Sequence, residues 1–305
     1  MPPDPDVPPQ SSGAISRREM DLTGAALALL ISLFWGISPV TVKIALDDIA
    51  PIRLAVFRFG LGGLVIVLWG WCTGGFAGFR IARQEVRPLI VVGLILAVQV
   101  GCINFGTALT SAAHAAVILN SYAVHIVVLA HFLIPGDRLT PRRLCGILVA
   151  YAGILTLFVR QPEGAGVTLF GDVLVFASSV LLAERTVYLA RAVHRLDPLK
   201  LLLAQIVIGT ACFIVYSTLF EPEATRWTSR LAVILLFQGI VLAGFNFVIN
   251  LWLLQHYRPS ALAAFYLTQP VFGVIAATLL AGDRLTPELI VASVAVTVGI
   301  WLTGR

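Results

Sequence analysis

The feature that most constrains this chain is the length of its apolar runs without charge. Pro88 to Gly136 contains no Asp, Glu, Lys or Arg, and neither do Leu22 to Val42, Phe59 to Phe79, Leu231 to Tyr257 and Pro259 to Gly282. A membrane helix needs about 20 mainly apolar residues, so the first of these is long enough for two spans. Thr110-Ser111-Ala112 is the natural place for its turn. The runs are continuous rather than alternating, which excludes a transmembrane barrel. Across the 305 residues, 58% are hydrophobic and only 12% charged. Soluble domains carry about 25% charged residues, too many for this chain to match. Lipid is therefore the expected solvent.

The expected fold is an all-α integral membrane protein of ten helices, near 24–46, 51–72, 87–109, 112–134, 141–159, 169–191, 198–220, 231–255, 259–281 and 287–303. Residues 1–21, Pro-rich and polar, are expected to form a disordered cytoplasmic tail. The net charge of +5 does not imply nucleic acid, because basic residues sit singly or in small groups between apolar runs. They are unevenly divided. With the N-terminus in the cytoplasm, that side holds Arg17, Arg18, Arg80, Arg83, Arg87, Arg138, Arg142, Arg143, Arg191, Arg195, Lys200, Arg258 and Arg305. The other side holds Arg53, Arg160, Arg226, Arg230 and Arg284, and Lys43, Arg58 and Arg185 lie within spans. The expected location is the inner (plasma) membrane, with both termini cytoplasmic. Cys72, Cys102, Cys145 and Cys212 lie in apolar stretches without CxxC spacing, so no disulfide, metal or cofactor is expected.

The chain repeats itself. Residues 136–141 read Gly-Asp-Arg-Leu-Thr-Pro, and so do residues 282–287. At the same offset Ile103-Asn104 matches Ile249-Asn250; one residue further out, Gly24 matches Gly171 and Pro51 matches Pro198. The units expected are 22–159 and 169–305, joined by a linker at 160–168. Five spans per unit is odd, so the second unit enters from the opposite side. Such inverted repeats place a substrate site near the midplane, where the halves meet.

Here the chain resembles the drug/metabolite transporter superfamily, of the EamA-domain type. Trp35-Gly36 looks like that family's aromatic-Gly element, and Pro51 with Arg58 resembles its second-helix opening. Ala261 to Thr286 resembles its most recognisable stretch, small residues followed by Pro270 and then Gly-Asp-Arg-Leu. The first repeat departs from the pattern, with Val124 where the second has Pro270. The resemblance implies a ten-helix carrier, often an exporter of amino acids, metabolites or drugs.

Polar residues inside a bilayer cost free energy and tend to face the bundle. His114, Ile118, Ser121, Tyr122 and His125 share a face of the fourth span, and Asn120 and His131 point away. Tyr122 and His125 either line the path or hydrogen-bond between helices. Asn104 and Asn250, the symmetry-related pair, and Asn246, one turn before Asn250, carry the same two readings. Tyr266 and Gln269 are neighbours, and Pro270 would kink the ninth span as a gate. Trp35 either stacks on a substrate ring or packs. Arg58 is a gating or structural residue that could snorkel or bind carbonyls. Glu184 is the coupling candidate if it faces the cavity while Arg185 reaches the headgroups; the alternative is a plain ion pair between them.

Enzyme motifs such as a Walker loop, HExxH and GxSxG are absent. The expected function is secondary transport of small metabolites, amino-acid-like, amphipathic or drug-like, by alternating access and in the export direction. Partners are a small-molecule substrate, the lipid bilayer and, as coupling candidates, protons. The site is expected between the third, fourth, eighth and ninth spans, with the first and sixth moving. The alternatives are an uptake permease or facilitator of the same fold, and a membrane-embedded transferase on lipid intermediates.

Overall fold

A computed structural model describes residues 21–133, 139–159, 167–193, 195–257, 265–266 and 268–303. The expected tail, most of the linker and residues 258–264 lie outside these. The described elements are all helices. The helices are α1 (Leu22–Ala45), α2 (Pro51–Cys72), α3 (Arg83–Ala108), α4 (Ala112–Asn120), α5 (Tyr122–Leu133), α6 (Pro141–Val159), α7 (Leu169–Ala192) and α8 (Pro198–Phe220). Then follow α9 (Ser229–Leu236), a π-helical stretch over Phe237–Phe245, α10 (Asn246–His256), α11 (Gln269–Ala276), a second π-helical stretch over Ala277–Ala281, and α12 (Pro287–Thr303).

Six segments are long and apolar enough to cross a membrane: α1, α2, α3, α4 with α5, α8, and Ser229–Asn250. Gln269–Ala281 and Pro287–Leu302 are shorter apolar helices. Large apolar side chains such as Leu64, Leu68, Val98, Leu148, Val207 and Leu279 are exposed on the bundle's outside. In water such a coat would drive aggregation, whereas lipid tails accept it.

Among the described residues the ninth span ends in the π-helical stretch over Ala277–Ala281, and the fourth and eighth also differ from the uninterrupted helices expected. The fourth breaks at Ser121. There the Ser121 hydroxyl donates to the Ile118 carbonyl at 2.6 Å, and the Asn120 amide donates to that of Ala116 at 2.7 Å. Side chains that hold backbone carbonyls in this way compete with regular helix geometry. The eighth loosens into the π-helical stretch containing Gly239 and Gly244, which press against Leu61 and Val65 of α2.

Helix starts are held by side-chain acceptors. Asp21, Ser111, Thr168, Asp197 and Thr228 cap their own helices. Two acids cap a helix elsewhere in the chain. Glu221, after α8, accepts from Ile52 and Arg53 at 2.7 Å each, at the start of α2. Asp283 accepts from the Ala113 amide at 2.7 Å, at the start of α4. Gly282 turns the chain there with φ 72°, a conformation that favours glycine. The negative carboxylates also complement the positive end of each helix dipole.

Packing joins the two halves of the chain. α2 packs on α8, α4 on α11 and α6 on α12; α3 packs on α7 and α8, and α1 on α10 and α11. The end of α1 meets the end of α3, where the Lys43 ammonium donates to the Thr107 and Ala108 carbonyls at 3.1 and 3.2 Å. The start of α7 is at the same place, with the Thr168 amide bonded to the Leu109 carbonyl at 2.9 Å. The start of α1 lies beside the end of α10, where the Tyr257 hydroxyl donates to Asp21 at 2.7 Å.

Candidate substrate site between the two halves

Five of the residues singled out in the sequence come together. The Tyr122 side chain on α5 lies close enough to that of Gln269 on α11 to interact with it. The Tyr266 hydroxyl donates to the Asn250 side-chain oxygen on α10 at 2.7 Å. The Trp35 ring of α1 lies 6.0 Å from that of Tyr266, centroid to centroid. Tyr122 and Tyr266 are close enough to interact electrostatically. Gln269 is buried, and its Nε2 has no hydrogen-bond partner.

Backbone contact makes this convergence possible. A Cβ on Gly36 would stand 2.6 Å from the Gln269 carbonyl oxygen, and one on Gly273 would stand 3.0 Å from the Gly36 oxygen and 2.7 Å from Ala116 Cβ. Only glycine lets α1, α4 and α11 approach so closely. Trp35 beside Gly36, and Gln269 beside Pro270, are thereby brought face to face.

His125 turns the other way from this cluster, toward α7. Its Nδ1 is 3.2 Å from the Ser179 hydroxyl, and its ring packs between Phe176 at 5.0 Å and Tyr151 at 5.5 Å. Its Nε2 is buried and without a partner. Ser121 also reaches Ser179, at 3.2 Å. His114, eleven residues before His125, faces the same helix and lies 3.0 Å from Asp172 Oδ2. Thr110 donates to the other oxygen of Asp172 at 2.5 Å. The shared face expected for His114 and His125 thus meets a matching face of α7, on which Asp172 and Ser179 are seven residues apart.

Other expected positions behave differently. Asn104 donates to the Pro51 carbonyl at 2.7 Å, which joins α3 to the start of α2 and leaves Oδ1 unpartnered. The third span therefore does not contribute Asn104 to the cluster, and the first span contributes Trp35 instead. Asn246 donates to the Ile31 carbonyl at 3.3 Å and stitches α10 to α1. Pro270 sits in the first turn of α11, where its missing N–H leaves no gap in a helix ladder. The expected orientation of residues 184 and 185 is reversed: Glu184 is exposed and Arg185 is buried. Neighbours on a helix point about 100° apart, and it is the longer arginine that α7 turns inward. Arg58 does not snorkel free; its Nε is buried without a partner and its guanidinium lies 5.4 Å from the Phe59 ring centre.

Several interior polar groups were not foreseen. Gln99 of α3 and Ser178 of α7 exchange two hydrogen bonds of 2.9 Å. Gln238, in the π-helical stretch, donates to Thr41 at 2.6 Å and to the Ser38 carbonyl at 3.1 Å. Asp172, in the first turn of α7, is a second acid within the sixth expected span besides Glu184. A cavity of about 430 Å³ opens where the α1–α2 link meets the ends of α3 and α8, bordered by Asp47, Pro51, Phe105, Tyr216, Glu221 and Arg226 among others. None of the expected site residues lines it.

Together these features define a multi-pass helical membrane protein with an apolar exterior and a polar seam between its halves. The chain belongs to the EamA-like transporter family, whose model matches residues 22–159 and again 169–305. Among its relatives is a protein of Escherichia coli (strain K12) named "Probable amino-acid metabolite efflux pump". It is 26% identical, over 93% of this chain and 95% of that protein. A protein of the same name in Salmonella typhimurium is also 26% identical, over 90% and 93%. The "Uncharacterized transporter YoaV" of Bacillus subtilis (strain 168) is 20% identical over 89% and 93%. A solved crystal structure, 21% identical, has the same fold with a TM-score of 0.64, over 92% of this chain and 95% of that one.

Proposed function

We propose that this protein is a secondary carrier that exports small, amino-acid-like or amphipathic metabolites across the inner membrane by alternating access. The observation that carries the reading is the approach of Tyr122 to Gln269, with Tyr266, Asn250 and Trp35 around them. It joins residues of the two family repeats inside an apolar bundle, where a substrate could replace protein–protein hydrogen bonds as the halves separate. The relatives named as amino-acid metabolite efflux pumps favour the direction and the substrate class.

We read the two halves as inverted five-span units, ten spans in all, with both termini cytoplasmic. The end of α1 and the start of α7 both reach the end of α3, which supports opposite directions for these repeat-related helices. Exchanging the halves turns the α2–α8, α4–α11 and α6–α12 contacts into themselves, as a two-fold relation requires. Such pairs rock around a central site. The sequence carries no nucleotide-hydrolysing motif, so flux is assigned to gradients, with protons the leading coupling ion.

The test is counterflow. Purified protein in liposomes preloaded with a pool of unlabelled metabolites is diluted into the same pool at trace labelled concentration. Accumulation of one or a few members above protein-free liposomes is expected. No accumulation of any member, with chemical conversion of added lipid intermediates instead, would transfer the chain to the transferase reading.

A further inference from the structure

The carrier reading leaves two interior cations unused, Arg185 buried and Arg58 half-buried. Arg185 is only 8% exposed, and its Nε and Nη1 have no hydrogen-bond partner. Arg58 has a buried Nε in the same condition. The two charges are near enough that Arg58 acts on Arg185 through space. Buried arginines are normally matched by a carboxylate, because an unpaired charge in a low-dielectric interior is costly.

No such acid faces them among the described residues. Glu85 pairs with Lys200, Asp48 with Arg226 and Arg230, and Asp172 with His114. Glu221 and Asp283 cap helix starts, and Glu184 is exposed. The two arginines approach from opposite ends of the bundle. Arg58 is seven residues after the start of α2 at Pro51, and Arg185 seven before the end of α7 at Ala192. At 1.5 Å per residue each lies about 10 Å inside its helix. Both positions therefore lie well inside the helical bundle, where like charges repel unless an anion lies between them.

We propose that Arg58 and Arg185 form the site for the carboxylate group of the transported metabolite, an inference that rests on the carrier reading above. Guanidinium forks match a carboxylate's two oxygens and hold it with charge-assisted hydrogen bonds. The surroundings favour a singly charged group over a phosphate. Phe59 lies against Arg58 and is itself packed in an apolar cluster with Ile206, Phe213 and Ala243. A phosphate dianion is costlier to strip of water there, and two guanidiniums do not surround its oxygens. The site is also one-sided. At the Pro51–Pro198 offset the counterpart of Arg58 is Gln205, a neutral buried residue. The charge is therefore a departure from the repeat and not a consequence of it.

A simple carboxylate tests this without knowledge of the metabolite. Thermal unfolding of the purified full chain is followed with benzoate, with benzamide, and with chloride or inorganic phosphate at matched ionic strength. Benzoate should raise Tm in a concentration-dependent way, by about 3 °C near saturation, and benzamide should not. Arg58→Gln and Arg185→Gln should each abolish the difference, and Arg185→Lys should weaken the apparent affinity about tenfold, since an ammonium lacks the fork. Equal effects of benzoate and benzamide on the wild-type chain would overturn the proposal even if both variants misfold. So would a benzoate effect that survives in Arg58→Gln and Arg185→Gln, or a larger effect of phosphate, which would point to a phosphate or lipid headgroup instead. The two levels separate cleanly. Counterflow without a benzoate effect would sink the carboxylate site alone, and a benzoate effect without counterflow would sink the carrier reading and with it the transported metabolite as the ligand, leaving a carboxylate site only.

Discussion

His114 Nδ1 lies 3.0 Å from Asp172 Oδ2, and both side chains are buried between α4 and α7. Thr110 holds the second oxygen of Asp172, so one carboxyl satisfies two donors from the first half. Removing it leaves both without an acceptor, which costs about 1–3 kcal/mol per buried group. Asp172→Ala should lower the Tm of the purified protein more than Thr110→Val does. The His114→Ala/Asp172→Ala double variant should be clearly less destabilised than the sum of the two singles. Additive losses would show that the pair does not act as a unit.

Gly36 provides a steric test of the seam. An alanine there would put Cβ 2.6 Å from the Gln269 carbonyl and 3.0 Å from Phe272 Cβ, and backbone cannot swing aside as a flexible side chain can. Overpacking of this kind costs about 1–3 kcal/mol. Gly36→Ala should reduce both Tm and counterflow. Gly60→Ala on α2, where a Cβ would meet nothing within 4 Å, should match the wild type or exceed it slightly. Equal behaviour of the two variants would mean that α1 and α11 are not in close contact.

Asp48, in the link after α1, accepts from Arg230 at 2.9 Å and from Thr228 at 3.0 Å. The hydrogen bond from Arg230, followed by that from Thr228 and the charges of Arg230 and Arg226, holds its carboxyl below the usual aspartate range, against the opposing effect of desolvation. A depressed folded value means that the contribution to stability is fully present above the ordinary aspartate pKa of about 3.9. It is lost as pH falls through the lower folded value. The Tm difference between wild type and Asp48→Asn should therefore be constant near neutrality and shrink in acid below about pH 4. A difference unchanged down to acid unfolding would remove Asp48 from that role.

Orientation can be tested by thiol labelling in a background without the four native cysteines. Cysteines at Gly13 and Gly304 should react only from the cytoplasmic side, and one at Glu223, between α8 and α9, only from outside. Labelling of Gly13 or Gly304 from outside intact cells would contradict the assignment made from basic residues.

The sequence made the scaffold legible because spans are written in long windows. Charge-free runs and a six-residue repeat survive errors of several residues. The convergence of five residues was legible for a related reason: Tyr122, Tyr266, Gln269, Asn250 and Trp35 are bulky polar or aromatic groups in apolar helices, with few stable places but the interior. What the sequence hid depends on rotation and local winding. A one-residue step turns a helix by about 100°, so nothing in the Glu184-Arg185 dipeptide tells which faces inward. The π-helical stretch at Phe237–Phe245 changes the facing of Gln238 and Asn246 without any distinctive residue pattern. Asp172 was legible in principle, since Asp172 and Ser179 repeat the seven-residue spacing that His114 and Ser121 show on the facing helix.

The most direct test of the account is counterflow of whichever metabolite the wild type accumulates, measured on Tyr122→Phe, Tyr266→Phe and Gln269→Ala beside Gly60→Ala. The three site variants lose groups at the Tyr122–Gln269 contact, which joins the two halves, and at the Tyr266–Asn250 hydrogen bond, which holds Tyr266 beside it within the second half. Each is expected to lower the rate about tenfold, equivalent to about 1.4 kcal/mol, at wild-type membrane abundance, with Gly60→Ala unchanged. Wild-type rates in all three would contradict the claim that substrate passes between the halves at this cluster.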